Sequence, residues 1–251
     1  MPPPLPPETR TVGQLVAETV HLYRNNFWRS LLLGIPAAAL VQVVVFQTRK
    51  ELQLPVVAGA GAFLLSLSFV GASAIIAEKR PPLRALATGY FLALIVFPAT
   101  PFFAIAFALP GVAWLALVGL CVPVAVIEQR SIKESFARGI ALARVDYIHT
   151  LGSMATLVIT FFLTRTALFF LLRGTGEATI RAGAFLADLV ISPILFLGSA
   201  LIYVDQRARL DRVAPATKGE SDADLHPALE PDGTGSADVE GESGPVARSE
   251  P

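Results

Sequence analysis

Two ionisable side chains stand inside apolar runs of this chain, and their positions are related. Arg165 lies within Thr150 to Leu172, about 12 Å from the end of the run at 1.5 Å per residue counted back from Arg173. Asp188 lies within Ala182 to Val204, seven residues after Arg181. Both are equally far in sequence from the point between Gly176 and Glu177, so two antiparallel helices joined there place them at one depth. An arginine buried in hydrocarbon costs about 2.5–3.5 kcal/mol on insertion scales, so it seeks a partner or water. The favoured expectation is a structural ion pair, Arg165 with Asp188, and Glu177 is the second-choice partner. Snorkelling to the interface and a ligand or ion site are the alternatives. A third feature is Pro98 to Pro101, near the middle of another apolar run. A helix broken there would expose backbone carbonyls to a substrate, whereas a kink that neighbouring helices satisfy would serve packing alone.

Elsewhere the residues needed for catalysis do not converge. His21, His149 and His226 are far apart, and none has a metal-ligating partner at helical spacing. Cys121 is the single cysteine, which excludes an intrachain disulfide and a CxxC site. No phosphate-cradling loop is present, and Gly174-Thr175-Gly176 reads as a turn. Ser73 lacks the neighbours that activate a serine nucleophile. No enzyme, cofactor, metal or nucleic-acid partner is expected.

The elements that must position these residues are membrane helices. Of 251 residues 53% are apolar, and the mean hydropathy is +0.59, high for a chain with a solvated surface. The excess falls in runs close to the roughly 20 residues an α-helix needs to cross about 30 Å of hydrocarbon. Six spans are expected: Phe27–Phe46, Leu54–Ala77, Gly89–Leu109, Gly111–Ile127, Thr150–Leu172 and Ala182–Val204. The fourth is short and contains Pro123, so a re-entrant hairpin is its alternative. The fold class is therefore all-α, a polytopic bundle of three tandem hairpins. Val12, Leu15, Val16, Val20 and Tyr23 share one helical face ahead of the first span, which marks an amphipathic segment lying in the interface. With no signal peptide at Met1, the first span is expected to act as its own insertion signal.

Charge sets the orientation. One side of the expected bundle collects thirteen basic residues in short connections, from Arg10 and Arg24 through Lys79, Arg84, Arg130 and Lys133 to Arg212, while the other has four, Arg49, Lys50, Arg173 and Arg181. The first side, with both termini, is expected in the cytoplasm of a cell that carries the protein in its plasma membrane. Residues 1–212 hold 18 Lys/Arg against 11 Asp/Glu, a net +7, and residues 213–251 hold 2 against 9, a net −7. Residues 1–10 read as a disordered proline-rich arm, 11–212 as the membrane domain and 213–251 as a disordered acidic tail.

Three spans close alike, on Glu78-Lys79-Arg80, Glu128-Gln129-Arg130 and Asp205-Gln206-Arg207, each an acid-x-Arg after an apolar run. Tyr23 to Phe27 also aligns with Ala143 to Tyr147 at a spacing of 120. The pattern is that of a tandem repeat, with an approach segment before each hairpin and acid-x-Arg after it. The motif either fixes helix depth or packs with its copies into one cytoplasmic polar cluster, beside anionic lipid headgroups.

At the stretches Glu18 to Phe27, Glu128 to Gly139 and Tyr203 to Arg207 the chain resembles a broad family of bacterial and archaeal integral membrane proteins. That family is related to the membrane domain fused to some glycerophosphodiester phosphodiesterases. The resemblance covers about Val12 to Arg212 and implies a multi-helix membrane module. It does not imply the phosphodiesterase reaction, which belongs to a separate soluble barrel rich in metal ligands. The function expected is a non-catalytic module organising lipids or a protein partner, a second copy of itself included; a small-solute or lipid transporter with its site near Pro98 and Pro101 is the alternative.

Overall fold

The computed structural model describes residues 10–46, 50–106 and 108–225; the proline-rich arm before Arg10, His226 and the acidic tail beyond it lie outside them. Among the described residues there are α-helices and one π-helical turn, and no strand. Six stretches are long and apolar enough to cross a membrane: Phe27–Val44, Leu54–Ile76, Leu83–Pro101, Leu109–Ile127, Tyr147–Leu172 and Glu177–Arg212. The protein is an all-α, multi-pass membrane protein. Its outward surface agrees, since Trp28, Leu32, Leu163 and Leu171 are all more than half exposed on the spans, an arrangement suited to lipid and costly in water.

The chain begins with α1 (Val12–Asn25), whose N-terminus is closed by a capping box: Gln14 N–H donates to Thr11 Oγ1 and Thr11 N–H to Gln14 Oε1. After Asn26 it turns into α2 (Phe27–Phe46). The return span is α3 (Lys50–Val56), a π-helical turn (Val57–Gly61) and α4 (Ala62–Ile76). The second hairpin is α5 (Leu83–Ala106), then α6 (Ala108–Val118) and α7 (Cys121–Ile127). The third repeats the opening: α8 (Ile132–Val145) carries a capping box between Ser131 and Glu134, and after Asp146 the chain enters α9 (Tyr147–Leu172). A turn at Gly174, with φ +99°, leads into α10 (Glu177–Leu225). The helix thus continues into the acidic segment as far as Leu225; up to Val213 the residues form one compact unit, and those from Ala214 belong to a second.

Two apolar clusters fill the first unit. One joins Leu33, Phe69, Leu92 and Val122, the other Leu15, Ala116, Leu142 and Leu157. Both draw on α7 and α10, through Val122 and Leu197 in one and Val124 and Ile202 in the other. These two helices form the centre: 67% of the fourth span and 61% of the sixth are buried, against 6% of the fifth. Helices approach closely where a side chain is missing, as membrane packing favours. A Cβ on Gly34 of α2 would fall 2.0 Å from the Leu189 carbonyl oxygen of α10, and one on Gly139 of α8 would fall 2.6 Å from Cys121 N of α7.

Most of the prolines inside the spans leave their helices continuous. Of the two readings of Pro98 and Pro101, a broken helix and a kink that serves packing, the break is not seen, because α5 runs unbroken through both. Trp114 Nε1 donates to Val96 O at 3.0 Å from α6, and Thr100 Oγ1 donates to the same oxygen at 3.3 Å, holding the backbone beside Pro98. Pro36 and Pro193 also sit inside continuous helices, and Pro123 stands in the first turn of α7, where its missing N–H costs least. The irregularities lie near glycines and, for the π-helical turn, just after Pro55 of α3. The π-helical turn ends at Gly61, and α6 gives way to α7 at Gly119, where an added Cβ would fall 2.4 Å from Leu115 O. The approach segment expected before the third span is no separate helix but the first turns of α5.

Candidate functional site: a charged end and an interior cavity

The chain ends of the hairpins meet in a network of charges. Asp205 of α10 is fully buried, and its Oδ1 accepts from Arg10 Nη1 at 2.9 Å. Arg209, one turn further along, donates through Nη1 to Asp146 Oδ2 at 2.7 Å and through Nη2 to Arg10 O at 3.0 Å. Its Nη2 is also 3.1 Å from His149 Nε2. A guanidinium has no acceptor, so that nitrogen must accept, and the imidazole proton sits on Nδ1. One arginine thereby joins the segment before α1, the corner between α8 and α9, and α10.

A second group surrounds Glu128. Arg130 Nε lies 2.6 Å from Glu128 Oε2, Tyr203 donates its hydroxyl to Oε1 at 2.9 Å, and Arg138 Nε stands 3.8 Å from Oε1. Arg207 Nη1 donates to Tyr203 Oη at 3.4 Å, and its Nε is 3.9 Å from Asp211. The three acid-x-Arg segments, alike in sequence, take three conformations. Asp205-Gln206-Arg207 is helical within α10, Glu128-Gln129-Arg130 leaves α7 with Gln129 at φ +55°, and Glu78-Lys79-Arg80 is exposed in bends after α4. Only Glu128 pairs with its own arginine. Glu78 and Lys79 instead line a recess of about 650 Å³ with Arg10, Tyr203, Arg207 and Asp211, and Arg80 stays outside these groups. Gln206, wholly buried, has no hydrogen-bond partner for either side-chain polar atom.

Beside Arg130 lies a cleft of about 610 Å³ lined by Arg84, Thr88, Arg130, Ser131 and Lys133, among others, with no acidic residue on its wall. The left-handed backbone at Gln129 turns the chain from α7 into this wall. Such backbone is uncommon for a residue other than glycine and recurs at binding sites.

Within the bundle, Arg165 Nη1 stands 3.5 Å from Asp188 Oδ1, the arginine side chain 38% exposed and the aspartate 2%. Glu177, the second-choice partner, pairs with Arg181 on its own helix. The Arg165–Asp188 pair borders a cavity of about 360 Å³ whose wall draws on all six spans and includes Pro101 but not Pro98.

His21 bonds Asn25 Nδ2 at 3.0 Å at the surface of α1, and Cys121 Sγ is buried and donates weakly to Phe136 O at 3.6 Å. Among the described residues no group of three His, Cys, Asp or Glu could hold a metal. Sequence reasoning counted Arg10 and Arg209 only among the thirteen basic residues of one side and missed Asp146 as an anchor. The one signal was the alignment of Asn26 with Asp146, the corner residue between approach helix and span in both hairpins. No protein-family model, curated protein or solved structure matches the chain.

Proposed function

We propose that this is a non-catalytic integral membrane protein that organises anionic lipid headgroups, or a protein partner, at its acid-x-Arg end. The observation that carries the proposal is the cleft where Arg84 and Lys133, with Arg130 held by Glu128, face one volume with no acid on the wall. Each basic residue near an anionic membrane surface contributes about 1 kcal/mol of attraction. The thirteen-to-four distribution of basic residues supports placing this end, and both termini, in the cytoplasm of a cell whose plasma membrane holds the protein. Kinship with the membrane domain of the glycerophosphodiester phosphodiesterase family belongs to the same proposal, resting on the stretches Glu18 to Phe27, Glu128 to Gly139 and Tyr203 to Arg207, and it does not extend to the phosphodiesterase reaction.

The test is native mass spectrometry of the purified protein in nanodiscs of phosphatidylcholine with and without phosphatidylglycerol. Retained phosphatidylglycerol should fall about tenfold in the variant Arg84→Gln with Lys133→Gln and should fall with salt in the parent, as exposed charge attraction does. Equal retention by parent and variant would end the proposal. Exchange of labelled lipid between leaflets, above that of protein-free vesicles, would move the transport alternative ahead; the interior cavity beside Pro101 and the Arg165–Asp188 pair is what favours it.

A further inference from the structure

The interior cavity is chemically uneven. Almost all of its wall is hydrocarbon, including Leu40, Phe97, Leu115, Phe161 and Phe196, but at one place Asp188 and Ser192 face it. They are four residues apart on α10, hence on one face and one turn apart. Both are 2% exposed. Asp188 Oδ2 and Ser192 Oγ have no protein hydrogen-bond partner, although Asp188 Oδ1 has Arg165 close by. A buried carboxylate oxygen and a buried hydroxyl, both unsatisfied in an apolar setting, carry a penalty unless something donates to them. The helices around the cavity are irregular as well: the π-helical turn contributes Val57 and α5 contributes Pro101. Turns of π-helix recur where a helix is shaped around a site.

We infer that this cavity binds a single-chain amphiphile with a neutral hydroxyl head, a long-chain alcohol or monoacylglycerol. The head donates to Asp188 Oδ2 and exchanges a hydrogen bond with Ser192 Oγ, and the chain lies along the aromatic and aliphatic wall. The charge balance selects the head. Arg165 and Asp188 together are neutral, so a carboxylate or ammonium head would bring an uncompensated charge into an apolar cavity, while a hydroxyl brings none. Size selects one chain over two. The volume is near the lower end of ligand sites, which run about 300–1,000 Å³, and equals the liquid share of roughly a dozen waters. This site is distinct from the basic cleft and does not depend on headgroup binding there.

The experiment is photo-crosslinking of the full-length protein in nanodiscs with a diazirine-bearing long-chain alcohol, set against the matching fatty acid. Cross-links should map to peptides of α9 and α10, with the alcohol preferred about tenfold, the ratio one charge-assisted hydrogen bond commands. Asp188→Asn keeps the shape and should erase that preference. Ser192→Leu fills the cavity while leaving the Arg165–Asp188 pair intact, and should abolish alcohol labelling at an unchanged melting temperature. Undiminished labelling of Ser192→Leu, or equal labelling by alcohol and acid in the parent, overturns the inference.

Discussion

The two charged regions of this protein solve the same problem in opposite ways. At the acid-x-Arg end, Asp205 and Asp146 each meet an arginine at hydrogen-bonding distance, and Arg209 spreads its donors over three partners. In the interior, Asp188 is nearly as buried but meets a half-exposed arginine at 3.5 Å; in both regions the second carboxylate oxygen, Asp205 Oδ2 and Asp188 Oδ2, has no protein partner. Buried ions stabilise a fold only when their remaining lone pairs and protons are also satisfied. The difference between them is the contact itself: the first region closes on short charge-assisted hydrogen bonds, and the second is a looser pair at the edge of a cavity.

The sharpest way to break the contrast is to remove one partner from each. Asp205→Leu strands Arg10, whose side chain is 9% exposed, and should cost about 3–5 kcal/mol, read as loss of the folded form on titration with denaturing detergent. The interior pair should respond less and unevenly. Arg165→Leu leaves Asp188 without a cation and should cost about 2–3 kcal/mol, whereas Asp188→Leu leaves an arginine that reaches the interface and should cost about 1 kcal/mol. The double variant Arg165→Leu with Asp188→Leu should be more stable than Arg165→Leu alone; equal stability would show that the two side chains do not interact. The smallest effect sharpens the comparison from the other direction. Gln206 is the one fully buried amide at the acid-x-Arg end with both polar atoms unpaired, so Gln206→Met should gain about 1 kcal/mol in the same titration. A loss there would mean that its amide is satisfied and the network extends further.

The spans were legible because a run of apolar residues long enough to cross hydrocarbon has few other uses. The level of Arg165 and Asp188 was legible too, since a tight turn at Gly174 makes depth a matter of counting from the hairpin. Which helices lie at the centre was not. A helix apolar all round has no polar face to point outward, so α7 and α9 look alike until one is buried and the other faces lipid. The acid-x-Arg segments misled for a related reason. Their conformation depends on whether the helix continues, as at Asp205, or stops, as at Gln129, and three residues do not encode that. Pro98 and Pro101 drew attention away from Pro55 and the π-helical turn at Val57–Gly61 that follows it. Arg10 was counted only as a positive charge because nothing near it in sequence points to a partner 195 residues away.

That separation bears on how the protein is made. Membrane chains are synthesised and inserted from the N-terminus, so five spans are complete before Asp205 leaves the ribosome. Until then Arg10 has neither its carboxylate nor the Arg209 guanidinium that holds its carbonyl, and the corner at Asp146 waits for the same arginine. The last helix is therefore the latch of assembly. A chain that stalls or is cut before it leaves Arg10 and Asp146 without the partners that close the charged end.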